Sequence, residues 1–507
     1  MRHILFLTVL LAALALTMTP LSAATCESLS SLKLQDTTIT MAQSVGAGEF
    51  VDSAAKGKGK GGGFGDLPAF CRVAMTIKPS TDSDIRVELW LPVSNWNKKY
   101  EANGNGGWAG SILPGTLAAG LQRGYAVGMT DTGHEGGSAV FAMGHPEKLV
   151  DFGYRSVHEM AVKGKAIVKA FYGEDPKLSY WNGCSQGGRQ GLKEAQMYPA
   201  DFDGIVAGAP GLNWTGRSMQ AVWIAQATHK EEASFVPNTK FAAIHAAALE
   251  ACDANDGVKD GVIEDPTRCN FDPKVMECKG ADSATCLTSA QVETVRKIYA
   301  SVTNPRTKQE IFPGHEPGSE MGWNTMASPN PFGLGTDLFK YVVYQNPNWD
   351  YKSFNFDSDL AATLKADNNM MNAMDPNIKS FMNRGGKIIQ YHGWGDPQIS
   401  PRSSVNYYKS VLDTLGGASQ VMGSYRLFMV PGMAHCGGGD GTSTFDMLAA
   451  LEQWVEAKKT PERIEASRVR DGKVDRTRPL CPYPQVAVYK GSGSTDESAN
   501  FACQAPR

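Results

Sequence analysis

Residues 178–210, LSYWNGCSQGGRQGLKEAQMYPADFDGIVAGAP, constrain this chain more than any other stretch. Residues 178–182 are mostly apolar or β-prone, and Gly183-Cys184-Ser185-Gln186-Gly187 is a glycine-flanked turn. Residues 190–198 form a helix-favouring run that stops at Pro199, and residues 205–209 read as a second buried strand. A strand that turns sharply into a helix strains the residue at its corner. Side chains two positions to either side would collide with neighbouring backbone, so the pattern G-x-S-x-G places glycine there. The turn holds the Ser185 hydroxyl proud of the sheet, and the N-terminus of the next helix favours negative charge developing beside it. The same five residues occur in ordinary loops; the strand–turn–helix context makes Ser185 a candidate nucleophile.

Two further strand ends complete a constellation. Residues 387–392 read as a strand with Asp396 just beyond it; residues 424–430 read as the last buried strand, followed by His435. The order serine, acid, histidine, each past a predicted strand, is that of the α/β-hydrolase fold. A serine hydroxyl is a poor nucleophile until a neutral imidazole takes its proton, and the imidazolium then needs a carboxylate to fix its tautomer and balance its charge. His435 is therefore the expected base and Asp396 its orienting acid. His392 is the competing histidine, read as a buried residue at a strand end. The glycine-rich turn YEANGNGGWAG at residues 100–110 follows an early strand, where this fold places its second oxyanion donor. The donors expected are the backbone N–H of Gln186 and that of Gly107 or its neighbour Gly106; a plain glycine turn is the competing reading. Cys184 precedes the serine and Cys436 follows the histidine, and a bridge between them would hold their Cα atoms within about 7 Å. Two buried free thiols are the alternative.

The rest of the chain supplies context. Residues 1–24 carry a basic start, a short apolar run and small residues before Ala24, the pattern of a cleaved export signal. No later run is apolar enough to span a bilayer. The expected location is therefore secreted or periplasmic. Ten cysteines in an exported chain favour a disulfide framework, with local separations suggesting 252 with 269, 278 with 286 and 481 with 503. No C-x2-C pair and no H-E-x-x-H at His134-Glu135 support zinc. A net charge of −3 with no basic, aromatic-laced patch argues against nucleic acid. The length of 507 residues calls for a core with an insertion. Residues 25–210 and 379–507 are read as an α/β catalytic domain, and residues 211–378, rich in tryptophan and polar turns, as an inserted lid. KGKGKGGG at residues 56–63 reads as a flexible surface loop. In the lid, CDANDGVKDGV at residues 252–262 sets three aspartates, Asp253, Asp256 and Asp260, three and then four residues apart. They can surround a hard cation if the glycines let the chain curl, but the spacing is not that of an EF-hand, and a solvated acidic turn explains it equally well.

GCSQGGRQGLKEAQ, the aspartate of HGWGD, the histidine of PGMAHC and the segment RPLCPYPQVAVYKGSG together resemble the tannase/feruloyl esterase family, over nearly the whole mature chain. That family includes fungal tannases, feruloyl esterases and a bacterial mono(2-hydroxyethyl) terephthalate hydrolase. The resemblance implies an α/β-hydrolase core with a large lid and disulfides Cys26–Cys71, Cys184–Cys436, Cys252–Cys269, Cys278–Cys286 and Cys481–Cys503. It implies structural calcium held by the side chains of Asp253, Asp256 and Asp260 and the backbone oxygens of Val258 and Val262. It also implies a small-molecule ester of an aromatic acid as substrate. The lid aromatics Trp323, Phe332, Phe339, Tyr341, Tyr344 and Trp349 could wall such a group, or equally form lid core. No arginine lies between Arg306 and Arg384, where the aromatic face is expected, and Lys340 is a less specific substitute. The expectation is therefore a neutral phenolic ester, such as a ferulate or gallate, over a terephthalate monoester. A non-catalytic binding protein on the same scaffold and a serine peptidase are the competing classes. Oligomeric state is not legible.

Overall fold

The computed structural model describes residues 25–52 and 64–506. The export signal at 1–24 and the glycine–lysine loop at 56–63 lie outside the described residues. Nine strands make one sheet: β1 (Thr37–Val45), β2 (Phe70–Ile77), β3 (Ile85–Pro92), β4 (Lys99–Asn103), β5 (Ala126–Thr130), β6 (Leu178–Cys184), β7 (Gly204–Gly208), β8 (Lys387–Gly393) and β9 (Tyr425–Val430). Their spatial order is β1-β2-β3-β5-β4-β6-β7-β8-β9. Pairing is antiparallel from β1 through β3 to β5, and parallel from β5 to β9. Sequence follows burial. The edge strand β1 has no fully buried residue, whereas β5, β7 and β9 are buried at every position and are almost wholly apolar or small.

Successive residues of the parallel strands feed two cores. Ile205 and Ala207 of β7 join one cluster with Met160, Ile167, Leu192 and Val405; Val206 joins the other with Phe428, Leu448, Leu451 and Trp454. Helices therefore cover both faces, as the α/β expectation requires. The chain's helices include α1 (Pro114–Gln122), α2 (Ser156–Tyr172), α3 (Gln186–Met197), α4 (Trp214–Thr228), α5 (Phe241–Cys252), α6 (Ser289–Tyr299), α7 (Arg402–Leu415) and α8 (Met447–Ala457), of which α4, α5 and α6 belong to the insertion and not to the sheet faces. Helix α3 starts directly after Ser185, four residues earlier than helix propensity suggests. Its glycines weaken a helix in isolation, but packing demands them: a Cβ on Gly188 would lie 2.3 Å from the Gly208 carbonyl oxygen of β7.

Residues 209–386 separate β7 from β8 and hold α4, α5, α6 and a short hairpin of Val302–Thr303 with Glu310–Phe312. A capping box joins Thr288 and Gln291 at the start of α6. One of the insertion's apolar clusters also contains Trp108, Leu149 and Phe152 from the sheet-bearing part. The insertion is thereby packed onto the segment that follows β4. After α8 the chain adds two hairpins, Ile464–Arg470 with Lys473–Leu480 and Val486–Tyr489 with Phe501–Gln504. The sequence reading ended its strands at Val430 because the first pair is rich in arginine and the second pair short. All five expected disulfides are present, and no cysteine is free.

Candidate active site

Ser185 sits at the corner between β6 and α3 with φ 64° and ψ −119°, a conformation an L-residue rarely adopts. The surrounding backbone over-determines it: Ser185 N donates to Gly208 O at 2.9 Å, and Ser185 O accepts from Arg189 N and Gly211 N, each at 3.1 Å. The glycine turn after β4 is joined to the same corner. A Cβ on Gly104 would lie 2.3 Å from Gly187 Cα, so the two backbones touch. Gly187 N donates to Asn105 O at 2.8 Å, and the Asn105 and Gln190 side chains clasp the turn, with Asn105 N donating to Gln190 Oε1 and Gln190 Nε2 to Asn105 Oδ1, each at 3.1 Å. Asn105 and Gln190 had no motif to betray them in the sequence. Gln186 opens α3, so its backbone N–H precedes any intrahelical acceptor, while its side chain is buried and accepts from Arg189 Nε at 2.6 Å. Gly107, at φ 54°, lies in the turn held against it.

Asp396 follows β8 and is fully buried. Its Oδ1 accepts from Gln398 N at 2.8 Å and Ile399 N at 3.0 Å; its Oδ2 accepts from His435 Nδ1 at 2.6 Å and His392 Nε2 at 3.0 Å. Burial opposes its ionisation, but the neighbouring His435 and the hydrogen bonds from both imidazoles hold the carboxyl well below the usual range. His392 is buried at the strand end, as expected, but the sequence did not show that it shares the carboxylate oxygen used by His435. Its Nδ1 meets Ser404 Oγ at 2.7 Å, and its Nε2 also meets Ile399 O at 3.2 Å. Cys184 and Cys436 are bridged, with Cα atoms 6.1 Å apart across 252 residues of sequence, which places the residues next to them, Ser185 and His435, at one rim of the sheet. Among the described residues no hydrogen bond joins the Ser185 hydroxyl to His435, a contact that commonly tightens only with substrate.

The insertion is latched to this rim. Glu316, fully buried, takes a bidentate ion pair from Arg402 at 2.8 and 2.7 Å. His245 of α5 meets Glu320 Oε2 at 2.7 Å and, across to the loop after His435, Asp440 Oδ2 at 3.3 Å. Burial opposes the His245 charge, but hydrogen bonds to Asp440 and Glu320 and their charges carry it up to about 9. A raised histidine contributes stability that is full below its unfolded value, about 6.5, and is lost as pH rises through the folded value. The melting temperature should therefore fall between pH 6.5 and 9 by the equivalent of roughly 1–3 kcal/mol, and His245→Gln should flatten that slope. An unchanged slope in the variant would contradict the latch.

The aromatic expectation divides. Trp323 and Phe339 are fully buried in insertion cores, Trp323 edge-to-face with Tyr299 and Phe339 stacked on Trp349, and wall nothing. Tyr341, Tyr344 and Trp349 are only partly buried and pack against the second of these clusters. Phe332 instead lies over a guanidinium that the sequence reading passed over: Arg217 of α4, buried between Trp214 at 5.6 Å and Phe332 at 5.1 Å.

The acidic loop curls at its glycines. Gly257 and Gly261 take φ 90° and 81°, and the Asp253 carboxylate accepts from Asp260 N at 3.1 Å and Gly261 N at 2.9 Å. Burial, opposed by a hydrogen bond from the Val258 backbone and reinforced by Asp260, pushes the Asp256 carboxyl up to about 6. Burial likewise raises Asp260, against the pull of Arg478 and Arg476. Glu264, missed in the sequence, is raised to about 8, by burial foremost and by the neighbouring Asp256 and Asp260. Asp260 is already paired with Arg476 and Arg478, so a cation here would be held by the remaining carboxyls and by backbone oxygens.

Comparison with known proteins agrees with this geometry. A family model for tannase and feruloyl esterase matches residues 71–504. An uncharacterized esterase of Xanthomonas campestris pv. campestris is 38% identical, covering 96% of this chain and 92% of its own. The crystal structure of feruloyl esterase B from Aspergillus oryzae superimposes with a TM-score of 0.88 at 33% identity, over 94% of this chain and 99% of its own. Tannin acyl hydrolase from Aspergillus niger shares the fold, with a TM-score of 0.78 at 23% identity, over 93% and 92% of the two chains. The fold and relatives define a carboxylic ester hydrolase on an α/β-hydrolase core. The chain belongs to the tannase and feruloyl esterase family. No helix among the described residues is long and apolar enough to cross a membrane.

Proposed function

We propose that this protein hydrolyses esters of phenolic acids through an acyl-enzyme on Ser185. The observation that carries the reading is the 2.6 Å hydrogen bond from His435 Nδ1 to the buried Asp396 carboxylate, on a loop bridged to the residue before Ser185. With Nδ1–H donated to Asp396, Nε2 of His435 is left as the proton acceptor. As Ser185 Oγ bonds to the ester carbon, His435 Nε2 takes the hydroxyl proton, and the carbonyl π electrons move onto oxygen. The N–H groups of Gln186 and Gly107 stabilise that oxyanion, each worth roughly 2.7–4 kcal/mol. Collapse expels the alcohol, which receives the proton from His435. Water, deprotonated by the same nitrogen, then releases the acid and restores Ser185. Residues 211–378 act as a lid that excludes water from these steps.

The relatives named as feruloyl esterase and tannin acyl hydrolase support ferulate or gallate esters as the substrate class. Five disulfides suit an oxidising compartment, so export by residues 1–24 to the periplasm or exterior completes the reading. A panel of methyl ferulate, methyl gallate and a terephthalate monoester should show turnover by the wild type and none above background by Ser185→Ala. Turnover retained by Ser185→Ala contradicts the mechanism, and failure on every aryl ester contradicts the substrate class.

Calcium belongs to the same proposal as a structural ion, held by Asp253, Asp256 and Asp260 with backbone oxygens of Val258 and Val262. When bound it neutralises the loop's carboxylates and takes no part in the chemistry. Val262 packs against Gly432, where a Cβ would lie 3.0 Å from Val262 Cγ1, so the loop supports the strand end leading to His435. Chelation should lower the melting temperature by several degrees, restored by added calcium; an unchanged melting curve and no metal in the purified protein would remove the ion from the account.

A further inference from the structure

Away from Ser185, one buried carboxyl group has nothing to hold it. Glu194, in the last turn of α3, is 1% exposed, and neither of its oxygens has a hydrogen-bond partner among the described residues. The cations nearest to it are committed elsewhere. Arg189 donates to Gln186 Oε1 at 2.6 Å, Gly153 O at 2.9 Å and Met371 O at 2.8 Å, and Lys165 donates to the backbone oxygen of Asp201. A buried carboxyl without donors is costly unless something outside the chain completes it.

Two neighbours supply the rest of a coordination shell. His158 of α2 and Asp201, in the loop between α3 and β7, each place one ligand atom so that these and an oxygen of Glu194 all lie within 4.8 Å of one another. The imidazole is fixed from two sides: His158 Nδ1 meets Asp201 Oδ2 at 2.6 Å, and the ring stacks on Tyr198 with centroids 3.8 Å apart. Asp201 is buried, whereas the His158 side chain is 30% exposed and gives an ion a way in. His158 serves Asp201 and leaves Glu194 unserved, so the two carboxyls are closed by a proton between them or by a cation shared with the imidazole. A proton needs only the carboxyls. Convergence of three donor atoms from two helices and a loop is what an ion with three protein ligands takes. Ligand atoms about 2 Å from a zinc ion at tetrahedral angles lie roughly 3.3 Å apart, so side-chain shifts of at most about 1.5 Å complete the shell.

We propose that His158, Glu194 and Asp201 bind a divalent transition-metal ion of zinc's class, with water completing the shell on the side where His158 is exposed. One imidazole nitrogen with two carboxylate oxygens suits zinc, cobalt or nickel, whereas calcium takes oxygen alone. The site is therefore chemically distinct from the acidic loop of the insertion. Glu194 lies eight residues beyond Gln186 in the same helix, about 12 Å along its axis. An ion there ties α2 to the far end of the helix that begins at the elbow, so its role is to brace that helix and not to join the chemistry. The proposal does not depend on which ester the protein hydrolyses.

The test uses the untagged protein, stripped of metal with a chelator and returned to excess calcium so that the acidic loop is satisfied. Zinc should then bind at one equivalent per chain, counted by elemental analysis after desalting, and raise the melting temperature by several degrees. Cobalt in its place should give a visible d–d absorption as strong as four- or five-coordination produces. Glu194→Gln and His158→Asn should each weaken zinc binding at least tenfold by calorimetry, lose the cobalt band and melt at a temperature that zinc no longer moves. The second variant alters a partly exposed side chain, so it decides the matter if Glu194→Gln fails to fold. Zinc bound equally by the wild type and the folded variants overturns the proposal. So does a wild type that binds no zinc, in which case a proton between Glu194 and Asp201 closes the pair. None of these readouts requires hydrolysis, so failure here is distinct from failure of the esterase reading.

Discussion

Asp396→Asn should lower kcat by about four orders of magnitude while leaving the protein folded. The reason lies in the direction of four hydrogen bonds. The amide oxygen of asparagine can still accept from Gln398 N and Ile399 N, but its NH2 group would then face His435 Nδ1 and His392 Nε2, where the wild type has an acceptor. His392 can keep its Nε2 proton, because that nitrogen also faces Ile399 O at 3.2 Å, a carbonyl that accepts whatever stands at residue 396. His435 adapts only by moving its proton to Nε2, the atom that must receive the serine proton. The variant is therefore folded and chemically idle. Steady-state kinetics with a thermal melt decides it; a loss smaller than tenfold would remove Asp396 from its role.

Removal of the Cys184–Cys436 bridge should affect catalysis as well as stability. The bridge spans 252 residues of sequence, and such closures typically contribute 2–5 kcal/mol. Two strained residues adjoin it: Ser185 at φ 64° and Cys436 itself at φ 60°. Ser185 stays held by its own backbone hydrogen bonds, but once the bridge is opened Cys436 can relax, and displacement of the adjoining His435 relative to the nucleophile by about 1 Å costs on the order of 100-fold. The double replacement Cys184→Ala with Cys436→Ala should therefore lose both melting temperature and kcat. The control, Cys481→Ala with Cys503→Ala, removes a bridge joining the C-terminal hairpin and should lose stability alone. Equal kcat losses in the two would show that the first bridge has no positioning role.

Legibility in the sequence followed the kind of physics involved. The elbow was visible because strain at Ser185 requires glycine at fixed offsets, and Asp396 and His435 because each follows a run of buried strand residues. The bridge was visible because two cysteines flank two of those residues. Asn105, Gln190 and His392 were invisible as site members: each acts through a contact between segments distant in sequence, and none has a residue type that only one environment explains. Trp323 and Phe339 were ambiguous, since an aromatic on a helical insertion looks the same whether it faces substrate or core. The C-terminal hairpins escaped notice because polar alternation in short strands carries little hydrophobic signal.

Intact-mass analysis after treatment with a fluorophosphonate tests the centre of this account most directly. One equivalent of label should appear, peptide mapping should place it on Ser185, and the rate of labelling should collapse in His435→Ala. Label on another residue, or full-rate labelling of Ser185 without the imidazole, would contradict it.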